Sequence, residues 1–211
     1  IQFTADLMPS DITGQPVFDS RIQDFRFRRG PIFTQLLLAD EINRSPAKTH
    51  AALLEIMQEN HVTVDGVTYP LEPPFLVMAT QNPIESEGTY SLPEAQLDRF
   101  LFKLVVEYPT ADEEDSILQL HCRTNFADQP ISQLAQPRMT PARILELQGL
   151  CRTVAVDDKI VKYINQIVRK TREWPAFYMG ASPRAGIALL GGARVLAAFA
   201  GRSYVTPDDV S

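Results

Sequence analysis

The sequence has little of what several large protein classes require. Its 211 residues contain two cysteines and three histidines, and their spacing matches no zinc motif, so we expect reduced, structural cysteines and no zinc site. No apolar run approaches the length that crosses a bilayer, and no signal peptide is recognisable. The net charge is −6 and the pI is about 5.1, which disfavours a general nucleic-acid-binding surface. These absences predict a cytoplasmic protein without a membrane span.

Two adjacent carboxylates follow one short apolar run. Residues 36–39 read Leu-Leu-Leu-Ala, and this lack of polar alternation predicts a strand buried on both faces, as in a parallel sheet. Asp40 and Glu41 then lie at the carboxyl end of the strand, where open α/β sheets bind ligands. Because side chains alternate along a strand, one acid can hold a Mg²⁺ shell while the other faces an attacking water. The alternative is a turn before a helix N-terminus, which acids also favour.

A second apolar, β-prone run, residues 75–80, also ends in polar groups, Gln81-Asn82-Pro83. Asn82 carries a neutral amide, which can orient a water or contact a phosphate without adding negative charge. The alternative is an Asn-Pro turn with no ligand. A polar loop at residues 85–90 follows, and residues 92–100 predict a short helix running into a strand at 101–106. Arg99 lies at that junction, and its alternative role is to cap the helix C-terminus.

Two segments predict excursions from this sheet. Residues 15–33 alternate loosely, and Phe alternates with Arg from Phe25, which suits a short two-stranded ribbon with one wet face. The alternative is a basic surface hairpin with no partner. Residues 61–71 predict a projecting β-hairpin, because two β-branched arms flank Asp65-Gly66, the favoured type I′ turn. The arginines that form a local basic patch in the first segment are Arg21, Arg26, Arg28 and Arg29.

Strand patterns give way to helical ones after residue 109, where we place a domain boundary. Residues 1–109 predict an α/β core and residues 110–211 an all-α domain, with a Gln/Pro-rich connection at 125–139. We expect Ile144, Leu147 and Leu150 to form the buried side of the second helix of that domain. The helix starts are signalled by hydroxyl or acidic caps, three of them followed by proline, at Thr110, Thr140, Asp157, Ser182 and Thr206.

Arg184 occupies an unusual position for a cation. It falls in the first turn of a long apolar helix, where the helix dipole favours an anion. An external negative partner is therefore one interpretation, and an exposed surface arginine is the other.

Taken in order, these segments resemble the MoxR family of AAA+ ATPases. Each block is weak alone, but the ordered set spans essentially the whole chain. The matching segments are residues 1–4, 6–12, 30–33, 38–44 (Leu-Ala-Asp-Glu-Ile-Asn-Arg), 79–83 (Ala-Thr-Gln-Asn-Pro), 92–100 (Leu-Pro-Glu-Ala-Gln-Leu-Asp-Arg-Phe) and 180–185 (Gly-Ala-Ser-Pro-Arg-Ala).

The resemblance implies a role for each candidate residue, with ATP and Mg²⁺ as cofactors. Asp40 and Glu41 look like the Walker B pair, in which Asp40 organises the Mg²⁺, through water, and Glu41 polarises the hydrolytic water. Asn82 looks like sensor 1, Arg99 like the arginine finger that reaches a neighbouring subunit's nucleotide, and Arg184 like sensor 2. We therefore expect the two acids, Asn82 and Arg184 to converge on one triphosphate pocket. Such chemistry is positioning and charge neutralisation rather than covalent catalysis.

The same resemblance implies a fold and partners. The expected fold is a partial AAA+ parallel-sheet core with a projecting β-hairpin, followed by an all-α lid domain. Residues 15–33 look like the helix-2 insert and residues 61–71 like the pre-sensor-1 hairpin. The expected assembly is a homo-oligomeric ring, by family likeness a hexamer, with protein clients that include von Willebrand A domain proteins. Two alternatives stay open: a non-catalytic module acting only in protein assembly, and a DNA-translocating relative, which the acidic pI and a hairpin without Lys or Arg disfavour.

One departure from the family pattern concerns phosphate binding. The motif G-x-x-x-x-G-K-[S/T] occurs nowhere in the 211 residues, and Gly191-Gly192 lies within a predicted helix. We expect that motif to lie upstream of Ile1 in a longer protein. This chain alone is then expected to bind nucleotide poorly and to hydrolyse it negligibly.

Overall fold

The computed structural model describes residues 1–82, 90, 92–123 and 139–211. Within these ranges the chain is an α/β unit with a short parallel sheet, followed by helices, as predicted. The loop expected at 85–90 and the connection expected at 125–139 lie almost entirely outside the described residues. No helix in the described part of the chain is long and apolar enough to traverse a bilayer.

The parallel sheet is built on β3 (Leu36–Ala39), which pairs with β6 (Leu76–Ala79) so that Leu36 lies opposite Leu76. On the other side of β3, the chain start runs parallel to it: the Asp40 N–H donates to the Ile1 carbonyl at 2.9 Å. At the chain start this pairing is one β-bridge, between Gln2 and Asp40. This pairing brings the first residues of the chain against the two acids.

One face of this sheet is covered and the other is open. Leu37 and Ala39 are buried in the core, whereas Leu36 and Leu38 are 58% and 46% exposed. The prediction of a strand buried on both faces is therefore wrong: the core covers one face, and among the described residues nothing covers the other. The core that covers the buried face includes Phe3, Ile12, Ile32, Ile42, Leu53, Ile56 and Val62.

The main helix of the core, α2 (Ala47–Glu59), follows a short 3₁₀ turn, Ile42–Arg44. Pro46 occupies the N-cap position of α2. α2 also packs against α1 (Pro9–Thr13), and the Thr49 hydroxyl donates to the Leu7 carbonyl at 2.7 Å. α2 thereby leads from the end of β3 to the second hairpin.

Both predicted hairpins are present. β1 (Gly14–Asp19) pairs with β2 (Asp24–Arg29), and β4 (His61–Val64) pairs with β5 (Val67–Pro70). In the second turn Asp65 and Gly66 both have positive φ, 50° and 79°, as a type I′ turn requires. The Phe27 and Tyr69 rings stack with centroids 4.2 Å apart, so the two hairpins contact each other.

The predicted strand at residues 101–106 is absent. A short α3 (Glu94–Leu97) ends near Arg99, and residues 101–110 have no regular structure and are exposed throughout. A strand needs a hydrogen-bonding partner, and no described strand pairs with this apolar segment. It leads into α4 (Ala111–Arg123), where the Glu113 carboxylate reaches back to the Thr110 N–H at 2.8 Å, as the predicted capping box requires.

The remaining helices form a second core around the longest of them. α7 (Pro183–Phe199) packs against α5 (Pro141–Arg152), α6 (Asp158–Glu173) and a 3₁₀ helix, Pro207–Val210. Thr140, Asp157 and Ser182 cap their helices through their side chains, as predicted. α5 departs from the prediction of a buried side. Ile144 and Leu147 are half-buried, Leu150 is exposed, and α5 contributes no fully buried residue to the core.

Candidate functional site

Asp40 and Glu41 lie directly after β3, and the end of β6 joins them there. The Thr80 hydroxyl donates to Asp40 Oδ1 at 2.5 Å and accepts from the Glu41 N–H at 2.9 Å. Parallel pairing of β3 with β6 places Thr80 beside the acids, since Ala39 lies opposite Ala79. One hydroxyl therefore fixes both the first carboxylate and the backbone of the second.

Glu41 adopts a left-handed backbone conformation, with φ 52° and ψ 47°. This conformation costs a non-glycine residue about 1–2 kcal/mol and turns the chain sharply from β3 into the 3₁₀ helix. The Gln2 side-chain amide donates to Glu41 Oε2 at 2.6 Å, and Arg44 Nη1 lies 2.9 Å from the same oxygen. The carboxylate is thus held in one orientation from two sides.

Asn82 follows the neighbouring strand and lies at the same edge of the sheet. The Asn43 side-chain amide donates to the Asn82 carbonyl at 3.4 Å, and Asn43 itself is buried. Asn43 belongs to the 3₁₀ turn that begins after Glu41. The structure therefore brings three of the predicted site residues, Asp40, Glu41 and Asn82, to one edge of the sheet.

The donor set at this edge fits magnesium with a phosphate ligand. Mg²⁺ prefers oxygen ligands and is commonly held by one or two carboxylates, with waters and substrate phosphates completing its octahedron. Asp40 supplies a carboxylate for such an ion, and Glu41 and Thr80 supply further oxygen atoms beside it. Among the described residues no three His, Cys, Asp or Glu side chains cluster as a metal cage.

Arg99 lies elsewhere, against the second half of α2. Its Nη1 donates to the Leu54 carbonyl at 3.1 Å, and its side chain is accessible to solvent. A groove of about 380 Å³ adjoins it. The residues that line this groove are Ala51, Leu54, Glu55, Gln58, Glu59, Gln96 and Arg99.

Arg184 also approaches the far end of α2. Its Nη2 donates to Gln58 Oε1 at 3.3 Å, and its Nη1 lies 3.6 Å from Asp98 Oδ2. The acids precede the first turn of α2 whereas Gln58 lies in its last turn, and the 13 residues of α2 span about 20 Å at ~1.5 Å per residue. Arg184 therefore joins Arg99 rather than the group formed by Asp40, Glu41 and Asn82. The predicted site residues therefore do not all meet at one pocket.

Sequence reasoning missed four residues that fix the site: Gln2, Arg44 and Thr80 contact the acids, and Asn43 contacts the Asn82 carbonyl. Asn43 and Arg44 follow Glu41 by two and three residues in the sequence, so their proximity was the available signal. Thr80 directly follows β6, as Asp40 directly follows β3, and the in-register parallel pairing of the two strands makes these residues neighbours. Gln2 gave no usable signal, because its partner lies 39 residues away.

Comparisons with known proteins agree with this architecture. Residues 1–102 match the ATPase family associated with various cellular activities (AAA), and residues 169–211 match the AAA lid domain. The chain is 50% identical over its whole length to the uncharacterized protein YeaC of Bacillus subtilis and 45% identical to the chaperone MoxR1 of Mycobacterium tuberculosis. A crystal structure of a candidate ATPase from Cytophaga hutchinsonii superposes with a TM-score of 0.83 at 42% identity and covers 100% of the chain.

These relatives are longer than the chain. The chain spans 64% of YeaC, 56% of MoxR1 and 65% of the crystallised Cytophaga protein.

Proposed function

We propose, from the premise that this chain belongs to the MoxR-type family of AAA+ ATPases, that the complete protein hydrolyses ATP to remodel or activate client proteins. The observation that carries the proposal is the edge of the sheet where Asp40, Glu41 and Thr80 are joined by hydrogen bonds and Asn82 follows the adjacent strand. This arrangement offers oxygen ligands and a water-orienting amide at one place, as phosphoryl transfer requires.

We assign a separate task to each residue of this edge. Asp40, fixed by Thr80, would hold Mg²⁺, which when bound neutralises charge on the phosphates. Both polar partners of Glu41, Gln2 and Arg44, contact Oε2, so we assign Oε1 to the attacking water. Asn82 would orient that water without adding negative charge. A carboxylate held on one oxygen can present the other in a fixed direction, and orientation of this kind contributes to catalysis.

We propose that Arg99 acts on the nucleotide of a neighbouring subunit, as an arginine finger. It contacts the Leu54 carbonyl in the second half of α2, whereas the acids of its own chain precede α2, so we assign it to a phosphate bound by the neighbouring copy. Arg184 lies beside it, across Asp98, and we assign it to the same neighbouring nucleotide. This departs from the expectation that Arg184 completes the pocket of its own subunit.

The proposed assembly follows from this division. A site whose acids and arginines come from different subunits is complete only between copies, and a ring, by family likeness a hexamer, supplies such a contact to every member. The clients would be proteins, including von Willebrand A domain proteins, and the protein would act in the cytoplasm.

The exposed tip of the first hairpin, where Phe18 and Phe25 pack edge to face, is a candidate client contact.

The test uses the complete gene product. We expect Glu41→Gln to lower ATP turnover by about 100-fold or more while nucleotide binding persists, because the general base is lost and the phosphate contacts remain. Glu72→Gln, an exposed acid outside the site, is the matched control and should retain wild-type turnover. Turnover that survives in Glu41→Gln would refute the assignment.

A mixing experiment tests the role of Arg99. Glu41→Gln and Arg99→Ala subunits should each be inactive, because the first lacks the base and the second lacks the finger. Mixed rings contain interfaces in which an intact Glu41 meets an intact Arg99, so mixing should restore part of the activity. Absence of any rescue in rings shown to be mixed would contradict action across the interface.

The alternative function is a non-catalytic module that acts only in protein assembly. Nucleotide binding by the complete gene product separates the two functions. An assembly module would bind neither ATP nor ADP and would still associate with its partners.

A further inference from the structure

Asp98 connects the α/β core to the first turn of α7. The Ser182 hydroxyl lies 2.8 Å from each of the two Asp98 carboxylate oxygens, and Arg184 Nη1 lies 3.6 Å from Oδ2. Asp98 and Ser182 are 84 residues apart in the sequence, so this contact is a tertiary one. It joins the two family-model regions, residues 1–102 and 169–211.

The contact has a physical cause in the helix. Arg184 places a cation where the N–H groups of α7 already create positive potential, which is unfavourable. Asp98 supplies the missing negative charge beside that first turn. Ser182 is the N-cap of α7 and accepts from the Arg184 N–H at 3.0 Å while its own hydroxyl proton points to Asp98. The carboxylate thereby fixes both the cap and the cation.

The segment before α7 is also hydrogen-bonded to α6, so the position of Ser182 is coupled to that of α6. The Ala181 N–H donates to the Thr171 hydroxyl at 2.8 Å, and Arg172 Nε donates to the Ala181 carbonyl at 2.9 Å. A Cβ on Gly180 would lie 2.5 Å from Arg172 Cα, so this close approach requires glycine. A displacement of Ser182 from Asp98 would therefore carry the helical unit with it.

We propose that Asp98 is a positioning residue that latches the helical lid onto the core and holds Arg184 until a phosphate oxyanion replaces the carboxylate as the partner of the guanidinium. The replacement step rests on the proposed function, whereas the latch does not. Arg184 and Asp98 are partly exposed, and ion pairs of that kind are weak enough to be exchanged. Phosphate offers more charge and more acceptor oxygens to a guanidinium than a single carboxylate does.

The first test measures the latch in the complete gene product without nucleotide. Spin labels on Lys48→Cys in α2 and Lys159→Cys in α6, both exposed positions, report the core-to-lid distance by pulsed electron paramagnetic resonance. Cys122 and Cys151, which are free, and any cysteine outside these 211 residues are replaced by serine beforehand. The wild-type pair should give one narrow distance distribution.

The variants then decide whether Asp98 is responsible for that distribution. We expect Asp98→Asn and Ser182→Ala each to broaden it, because each removes one side of the contact. Asp115→Asn removes an exposed acid of α4 and should leave it unchanged. Distributions for Asp98→Asn and Ser182→Ala that match the wild type would overturn the latch.

The second test measures the exchange in the complete gene product. Releasing Arg184 from Asp98 should tighten ATP binding by about two- to fivefold in Asp98→Asn, the range of a partly exposed ion pair. The same substitution in an Arg184→Ala background should change nothing, because the competing cation is gone. Equal effects of Asp98→Asn in both backgrounds, or weaker binding in the first, would overturn the exchange. If the wild-type protein fails to bind ATP, the proposed function fails, and the distance measurement still decides the latch.

Discussion

Replacing Thr80 by valine removes a hydroxyl and almost nothing else, which makes it the sharpest test of the site. The hydroxyl makes one bond to an ionised acceptor, Asp40, and one to a neutral donor, the Glu41 N–H. Such bonds contribute about 1.5–3 and about 1 kcal/mol. Thr80 is exposed, so water replaces part of the hydrogen bonding in the variant. We take about 2 kcal/mol as the net loss of hydrogen-bond energy. If that loss falls on the transition state, it corresponds to about a thirtyfold fall in kcat.

The assay is ATP turnover by the complete gene product, with two controls. Thr80→Ser keeps the hydroxyl and should retain turnover to within about threefold. Thr63→Val makes the same chemical change on β4, where the hydroxyl contacts only Thr68 among the described residues, and should leave kcat unchanged. Urea unfolding of all three variants confirms that each is folded. Wild-type turnover by Thr80→Val, or equal losses in Thr80→Val and Thr63→Val, would refute the reasoning.

Three further predictions concern stability and the hairpins. Burial lowers the pKa of His50, so below about pH 6.5 the unfolded chain binds the proton more readily; the thermal midpoint should drop between pH 7.5 and 5.5, and less so in His50→Gln. The Arg202 guanidinium holds the pKa of Asp209 well below its usual range. The contribution of this ion pair to the free energy of unfolding is therefore complete above about pH 4 and is lost on further acidification. The gap in thermal midpoint between wild type and Asp209→Asn should accordingly narrow from pH 4 to pH 2. Phe27→Ala removes the stack on Tyr69, and amide exchange should accelerate in both hairpins; unchanged exchange in β4 and β5 would contradict their coupling.

Local signals in the sequence predicted local structure well. The Asp65-Gly66 turn and the helix starts at Thr140, Asp157 and Ser182 were all found, because a turn or cap depends on residues within one turn of chain. The strand predicted at 101–106 failed for the opposite reason. An apolar, β-prone segment becomes a strand only when another strand pairs with it, and sequence preference does not supply that partner.

Part of the candidate site could likewise be predicted from the sequence, and part of it could not. Asp40, Glu41 and Asn82 could be predicted to meet, since the carboxyl ends of parallel strands share one edge. The partner of Arg184 could not. The dipole argument required an anion beside that cation, and the structure supplies one in Asp98, a residue of the chain itself rather than a ligand. The number of residues between them gave no indication of that contact.

The separation of the acids from Arg99 along α2 constrains how copies can associate. A site shared between copies can form in a two-fold pair, where residue i of one copy contacts residue j of the other and j contacts i, or in a heterologous, head-to-tail contact. On the proposed function, a two-fold pair would contain two complete sites, whereas a head-to-tail contact would close into a ring or continue as an open filament. The rotation between neighbouring copies, rather than any residue of the site, would then set the number of complete sites in one assembly.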